Sequence, residues 1–81
     1  MPRLRRLTAR EVLKILADFG FVVVTTRGSH AKLVRVPPSG SRQALTVPLH
    51  RELATGTLQA IYRQASRFIA EGDLRERFFS D

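Results

Sequence analysis

The sequence predicts an α+β domain of order α-β-β-β-α, a three-stranded antiparallel sheet carrying two helices on one face. Three observations predict it. A helical apolar stripe follows a capping box at Thr8 and Glu11. Three short β-rich segments then come separated by a glycine turn and a Pro/Gly loop. A second helical stripe closes the pattern at Leu58, Ile61, Tyr62, Ala65 and Ile69. Eighty-one residues, 43% of them apolar, leave room for one core only, so residues 1–81 read as a single domain.

Residues 1–7 form a basic lead-in with Arg3, Arg5 and Arg6. Thr8 and Glu11 satisfy each other's backbone donors, and Leu7 with Val12 forms a hydrophobic staple around them. Val12, Ile15, Leu16 and Phe19 then recur at helical spacing, predicting a helix over about 9–18 that Gly20 ends. Residues 21–26 (FVVVTT) are β-branched or aromatic throughout and predict a strand. Arg27-Gly28-Ser29 interrupts it, with Gly28 free to take positive φ. A second strand is expected over about 30–36, a loop at 37–41, and a third strand over 43–47 stopped by Pro48. Helix two opens at Thr55 or Gly56. Gly72 is expected to break the helical pattern, and Asp73 with Glu76 to cap a further short helix bearing Leu74 and Phe78. The core runs over about 8–66, with 71–81 as a C-terminal extension.

The charge narrows the function. Fourteen Lys and Arg against seven Asp and Glu give +7, and twelve of the fourteen are Arg, whose planar fork suits phosphate. Nucleic acid is the first partner this implies and an acidic protein the second. Cysteine is absent, which removes disulfides and thiolate metal sites. No apolar run is long enough for a bilayer span, and the basic N-terminus lacks the apolar stretch of a secretory signal. A soluble cytoplasmic protein without cofactor is expected.

The seven acids lie scattered at 11, 18, 52, 71, 73, 76 and 81, whereas a two-metal nuclease needs carboxylates that converge. Any nuclease chemistry here is expected to proceed without a metal. Two histidines remain. His30 heads the second strand at the mouth of the turn. Alternation sets Ala31 and Leu33 toward the helices and His30 with Lys32 toward the other face. Histidine is the side chain suited to moving a proton near neutral pH, and Arg27 and Lys32 stand close enough in sequence to neutralise a phosphate. RNA brings its own nucleophile, the 2′-OH, so a base and phosphate-binding cations suffice. His50, just after Pro48, is left among three roles: stabilising its loop, capping helix two, or touching substrate.

Three blocks together resemble the HicA family, messenger-RNA-cleaving toxins of type II toxin–antitoxin pairs. They are Gly28-Ser29-His30 behind Arg27, Leu45-Thr46-Val47-Pro48-Leu49-His50, and Gly56-Thr57-Leu58 with Ile61 and Gln64-Ala65. The resemblance covers about residues 8–66. It implies a fold like the double-stranded-RNA-binding domain, endoribonuclease activity, His30 as catalytic residue, and a HicB-type antitoxin as partner; the free toxin is expected to be a monomer. Arg27, Gly28, Ser29 and Lys32 then become substrate-binding positions and His50 a secondary one. Ser66 departs from the glycine usual after Gln-Ala, which lets helix two run on through Phe68 and Ile69. Leu33 stands where an aromatic is frequent. The alternative is a non-catalytic RNA-binding module of the same fold, which needs phosphate and 2′-OH contacts but no imidazole at a turn.

Overall fold

A computed structural model describes residues 2–80; Met1 and Asp81, the outer ends of the lead-in and the extension, lie outside the described residues. The elements in chain order are β1 (Arg3–Leu4), α1 (Ala9–Asp18), β2 (Val22–Arg27), β3 (His30–Arg35), β4 (Gln43–Pro48), α2 (Thr55–Ala65), α3 (Glu71–Phe78) and β5 (Phe79–Ser80). The α-β-β-β-α order is as expected. The capping box forms: the Glu11 amide donates to Thr8 Oγ1 at 3.1 Å, and the Thr8 amide to Glu11 Oε1 at 2.9 Å. Leu7 and Val12 are both fully buried, as the staple requires.

The main sheet has strand order β2-β3-β4, both pairings antiparallel. The β2–β3 turn places Gly28 at φ +56°, while Ser29 keeps negative φ, the pattern of a two-residue type II′ hairpin. That turn fixes Arg27 opposite His30, Thr26 opposite Ala31 and Thr25 opposite Lys32. Between Val23 and Thr25 the register shifts, and the bulge leaves Val23 opposite Leu33. Across the other edge of β3, Ala31 pairs with Val47 and Leu33 with Leu45, all four buried. α1 and α2 cover this face over β3 and β4 with Val12, Ile15, Leu16, Leu58, Ile61 and Ala65. The layer stops short of β2, where Val22, Val23 and Val24 stay exposed.

Three expectations about the C-terminal third are corrected. Helix two ends at Ala65 rather than running through Phe68 and Ile69. Ser66 Oγ donates to the Tyr62 carbonyl at 2.7 Å, and the amides of Arg67 and Phe68 reach back only three residues, so the helix tightens into turns. Ile69 is nonetheless buried, delivered by that turn. The break expected at Gly72 lies instead at 66–70, and Gly72 sits in the first turn of α3, where the backbone bonds that glycine weakens are missing anyway. Ala70, not Asp73, is the N-cap of α3, and no side chain caps it; Glu71 and Asp73 lie in its first turn and Arg75 and Arg77 in its last, complementing the helix dipole.

The lead-in and the tail, read separately from the sequence, pair with each other. Arg3 lies opposite Ser80 and Leu4 opposite Phe79, and the Arg5 amide donates to the Phe78 carbonyl at 2.8 Å. Leu7, Leu74 and Phe78 are fully buried in the common core. Among the described residues no helix is long and apolar enough to cross a membrane.

Arg35 ties the layers together. It has the parity of Ala31 and Leu33 and so belongs to the helix-covered face, half-buried at its edge. Its guanidinium donates to Gln43 Oε1 at 2.8 Å, to the Phe19 carbonyl at 3.0 Å and to the Phe68 carbonyl at 2.6 Å, and lies 4.9 Å from the centre of the Phe21 ring. One side chain thus closes the C-terminus of α1, the turn after α2 and the start of β4. A lysine carries the charge but lacks the fork. Arg35→Lys is expected to lower unfolding free energy in urea by about 1–3 kcal/mol, the scale of charge-assisted hydrogen bonds. Thr8→Ala should cost about 1 kcal/mol as a lost N-cap. It should also flatten part of the acid limb of the stability curve, since the hydroxyl bond to Glu11 is lost while the backbone amide, the larger cause, remains. The Thr8 amide and hydroxyl hold the Glu11 carboxyl below its ordinary range. The stabilisation is therefore present above the unfolded carboxyl's pKa, about 4.3, and is lost as pH falls through the lower folded value.

Candidate active site

β3 presents His30 and Lys32 on the open face of the sheet, both exposed, while Ala31 and Leu33 between them are buried. The alternation expected from sequence is observed. Cross-strand register then completes the surroundings, because residues directly opposite share a face. Arg27 stands beside His30 on β2, Thr25 and Thr46 flank Lys32 on its two sides, and Pro48 lies beside His30 on β4. Thr25, Arg27, His30, Lys32 and Thr46 line a shallow open depression. It carries cations and hydroxyls and no carboxylate.

The turn sets the histidine. Gly28 takes its positive φ with open space around it, so conformation rather than crowding demands glycine there. The Leu49 amide donates to the Ser29 carbonyl, fastening the tip of the hairpin to the exit of β4. Ser29 Oγ stands 3.5 Å from His30 Nδ1, at the outer limit of a hydrogen bond. Among the described residues the ring has no other hydrogen-bonding partner, and its Nε2 edge is left for a ligand. The arrangement offers one imidazole at a strand end, with Arg27 across the β2 pair, Lys32 two residues along β3 and threonine hydroxyls on either side of Lys32.

Of the residues singled out from sequence, Arg27, Gly28, Ser29, His30 and Lys32 come together. His50 does not join them. It lies two residues beyond Pro48, where its carbonyl accepts from the Ala9 amide at 3.3 Å. It does not cap helix two, whose N-cap is Ala54 without a side-chain bond. Thr25 and Thr46 were missed. The first was within reach of sequence reasoning, since a two-residue turn after Arg27 pairs Thr25 with Lys32. The second was not, because the 37–42 loop leaves the register of β4 open. Nor were any three of His, Cys, Asp and Glu found grouped to hold a metal ion among the described residues.

A family model for the HicA toxin of bacterial toxin–antitoxin systems matches residues 9–66, well over half of the chain and all of the α-β-β-β-α frame. No curated protein matches the chain. The match leaves the site to be judged on its geometry, and the geometry separates site from core. His30→Ala removes an exposed side chain with no structural bond beyond the marginal one to Ser29. It is expected to change unfolding free energy by no more than about 0.5 kcal/mol, as surface substitutions do, in a urea titration. A larger loss would mean that the ring holds the hairpin together.

Proposed function

Since this chain belongs to the HicA toxin family of bacterial toxin–antitoxin systems, we propose that it is an endoribonuclease that cleaves messenger RNA in the cytoplasm. In this reading the whole chain acts as a single toxin domain with His30 as its proton-transfer catalyst. One observation carries it: an exposed imidazole at a rigid strand end, flanked on its own face by Arg27 and Lys32 with no carboxylate lining the depression.

The chemistry follows from what RNA supplies. His30 Nε2 takes the proton of a ribose 2′-OH, the freed O2′ attacks the adjacent phosphorus, and the bond from phosphorus to O5′ breaks. The products are a 2′,3′-cyclic phosphate and a 5′-hydroxyl, whose oxygen takes a proton from water. Negative charge grows on the non-bridging oxygens in the transition state, where Arg27 and Lys32 neutralise it. The Ser29 hydroxyl lies 3.5 Å from Nδ1, on the side of the ring away from Nε2. No step calls for a metal, and the scattered carboxylates support a metal-independent reaction. A HicB-type antitoxin is the partner, and an acidic one would complement the +7 charge and speed encounter.

Purified protein should cleave single-stranded RNA equally well with and without chelator, and His30→Ala should lose about a hundred- to ten-thousand-fold in rate while still binding RNA. Affinity should fall steeply with salt. Binding with no cleavage by the wild-type protein would replace this reading with a non-catalytic RNA-binding module. Cleavage by His30→Ala near the wild-type rate would move the catalytic role elsewhere.

A further inference from the structure

Around the corner from His30, a groove runs between α1 and the segment after β4. Its floor is apolar, formed by Ala9 and the partly buried Leu13 and Leu49, and its rim carries Arg10, His50 and Arg51. At about 450 Å³ it is within the size range of small-ligand clefts, about 300–1,000 Å³. All three basic side chains are exposed, and none makes a hydrogen bond or ion pair among the described residues. The backbone beneath them is, by contrast, fixed. The His50 carbonyl accepts from the Ala9 amide, and the Leu49 amide donates to the Ser29 carbonyl. The His50 backbone is therefore held by main-chain bonds, while its exposed ring makes no hydrogen bond among the described residues.

From this geometry we infer that the groove is a second nucleotide subsite, in which a base flanking the cleaved phosphodiester packs on the His50 ring and the Leu13–Leu49 floor while Arg10 and Arg51 hold its phosphate. The inference rests on the reading of the chain as an RNA-cleaving toxin. Chain continuity supports it: Pro48 is the cross-strand neighbour of His30, and Leu49 and His50, which line the groove, follow it directly. So does the pairing of surfaces. Single-stranded RNA is gripped by flat rings under its bases and cations along its backbone, and the groove supplies both. The N-terminus of α1 adds nothing, since Thr8 and Glu11 already occupy it. An acidic partner protein would also meet cations and an apolar floor there, and the binding assays on the variants separate the two occupants.

The probe is a uniformly 2′-O-methylated single-stranded oligonucleotide, which cannot be cleaved because it has no 2′-OH nucleophile. His50→Ala should bind it about tenfold more weakly, the scale of one lost stacking contact, while His50→Phe keeps most of the affinity. Arg10→Ala and Arg51→Ala should each flatten the log–log salt dependence by about 0.7, the value of one single-strand phosphate contact. On cleavable RNA, His50→Ala should raise KM and leave kcat at saturation, since it removes binding common to ground and transition states. Unchanged oligonucleotide affinity in all three alanine variants would overturn the subsite. So would a fall in kcat with KM unchanged, which makes His50 catalytic, or a loss confined to antitoxin binding, which makes the groove a protein interface. The two readings fail separately. If the wild-type chain neither binds nor cleaves RNA, both fall. If His30→Ala still cleaves but the groove variants bind weakly, the subsite stands and only the catalytic assignment falls.

Discussion

The register of β3 is the constraint on which the rest of the molecule depends. It is the central strand, paired on both sides, and its two-residue alternation divides core from site: Ala31 and Leu33 go under the helices, His30 and Lys32 go to solvent. A slip of one residue would bury the imidazole and the ammonium and expose the core pair, so the register is strongly selected. Three devices hold it. The two-residue turn at Gly28 fixes Arg27 against His30, the Leu49 amide fastens the turn to β4, and Arg35 anchors the far end of the strand to α1 and the turn after α2. The catalytic candidate thus sits at one end of the strand and the structural clasp at the other.

The two faces of the sheet share this strand but carry different loads. On the helix side, core packing extends past the α-β-β-β-α frame to Leu7, Ile69, Leu74 and Phe78. A domain this small has little core to spare, and the pairing of β1 with β5 brings Leu4 and Phe79 against it. On the open side, the sheet is apolar at one end and basic at the other. Val22 and Val34 face each other across the β2–β3 pair, while Arg27 and His30 do so at the hairpin. β2 is an edge strand with three exposed valines, a form that invites pairing with another chain. The bulge after Val23 and the arginine at its end interrupt that template, and the bulge also keeps Val23 opposite Leu33 while Thr25 stays opposite Lys32.

What the sequence made legible were the features encoded within a few residues. The capping box, the α1 stripe, the three strands and the outward turn of His30 with Lys32 each follow from local spacing, and each is found. The features that were not legible depend on distant partners. Ser66 looked permissive for a longer helix because its own propensity allows one. The helix ends there because Ser66 bonds back to Tyr62 and Arg35, thirty-three residues from Phe68, takes the Phe68 carbonyl. Arg35 itself reads as one more solvated arginine in a sequence with twelve. The pairing of lead-in with tail spans nearly the whole chain and leaves no local mark beyond the apolar Leu4 and Phe79. At the site, the β2–β3 half of the depression could be derived from the length of the turn. The β4 half, and the place of His50, waited on a loop whose length does not fix a register.

The absence of any carboxylate lining the site is itself a physical argument about what the site is for. Arg27 and Lys32 share one face, exposed to solvent, with no carboxylate among the residues lining the depression. Elsewhere the chain does pair its charges: Arg77 donates to Asp18 Oδ2 at 2.8 Å, and Lys14 lies 3.7 Å from the same carboxyl, which is held below its ordinary range chiefly by the Arg77 bond. The cations at the sheet face, like those of the groove beside α1, make no ion pair among the described residues. Unpaired cations also stand elsewhere on this surface, so what distinguishes the sheet face is that two of them share it with an exposed imidazole. A phosphodiester supplies the missing negative charge. In the proposed reaction that charge increases in the transition state for attack by the 2′-OH, where two cations on one face contribute more than in the ground state.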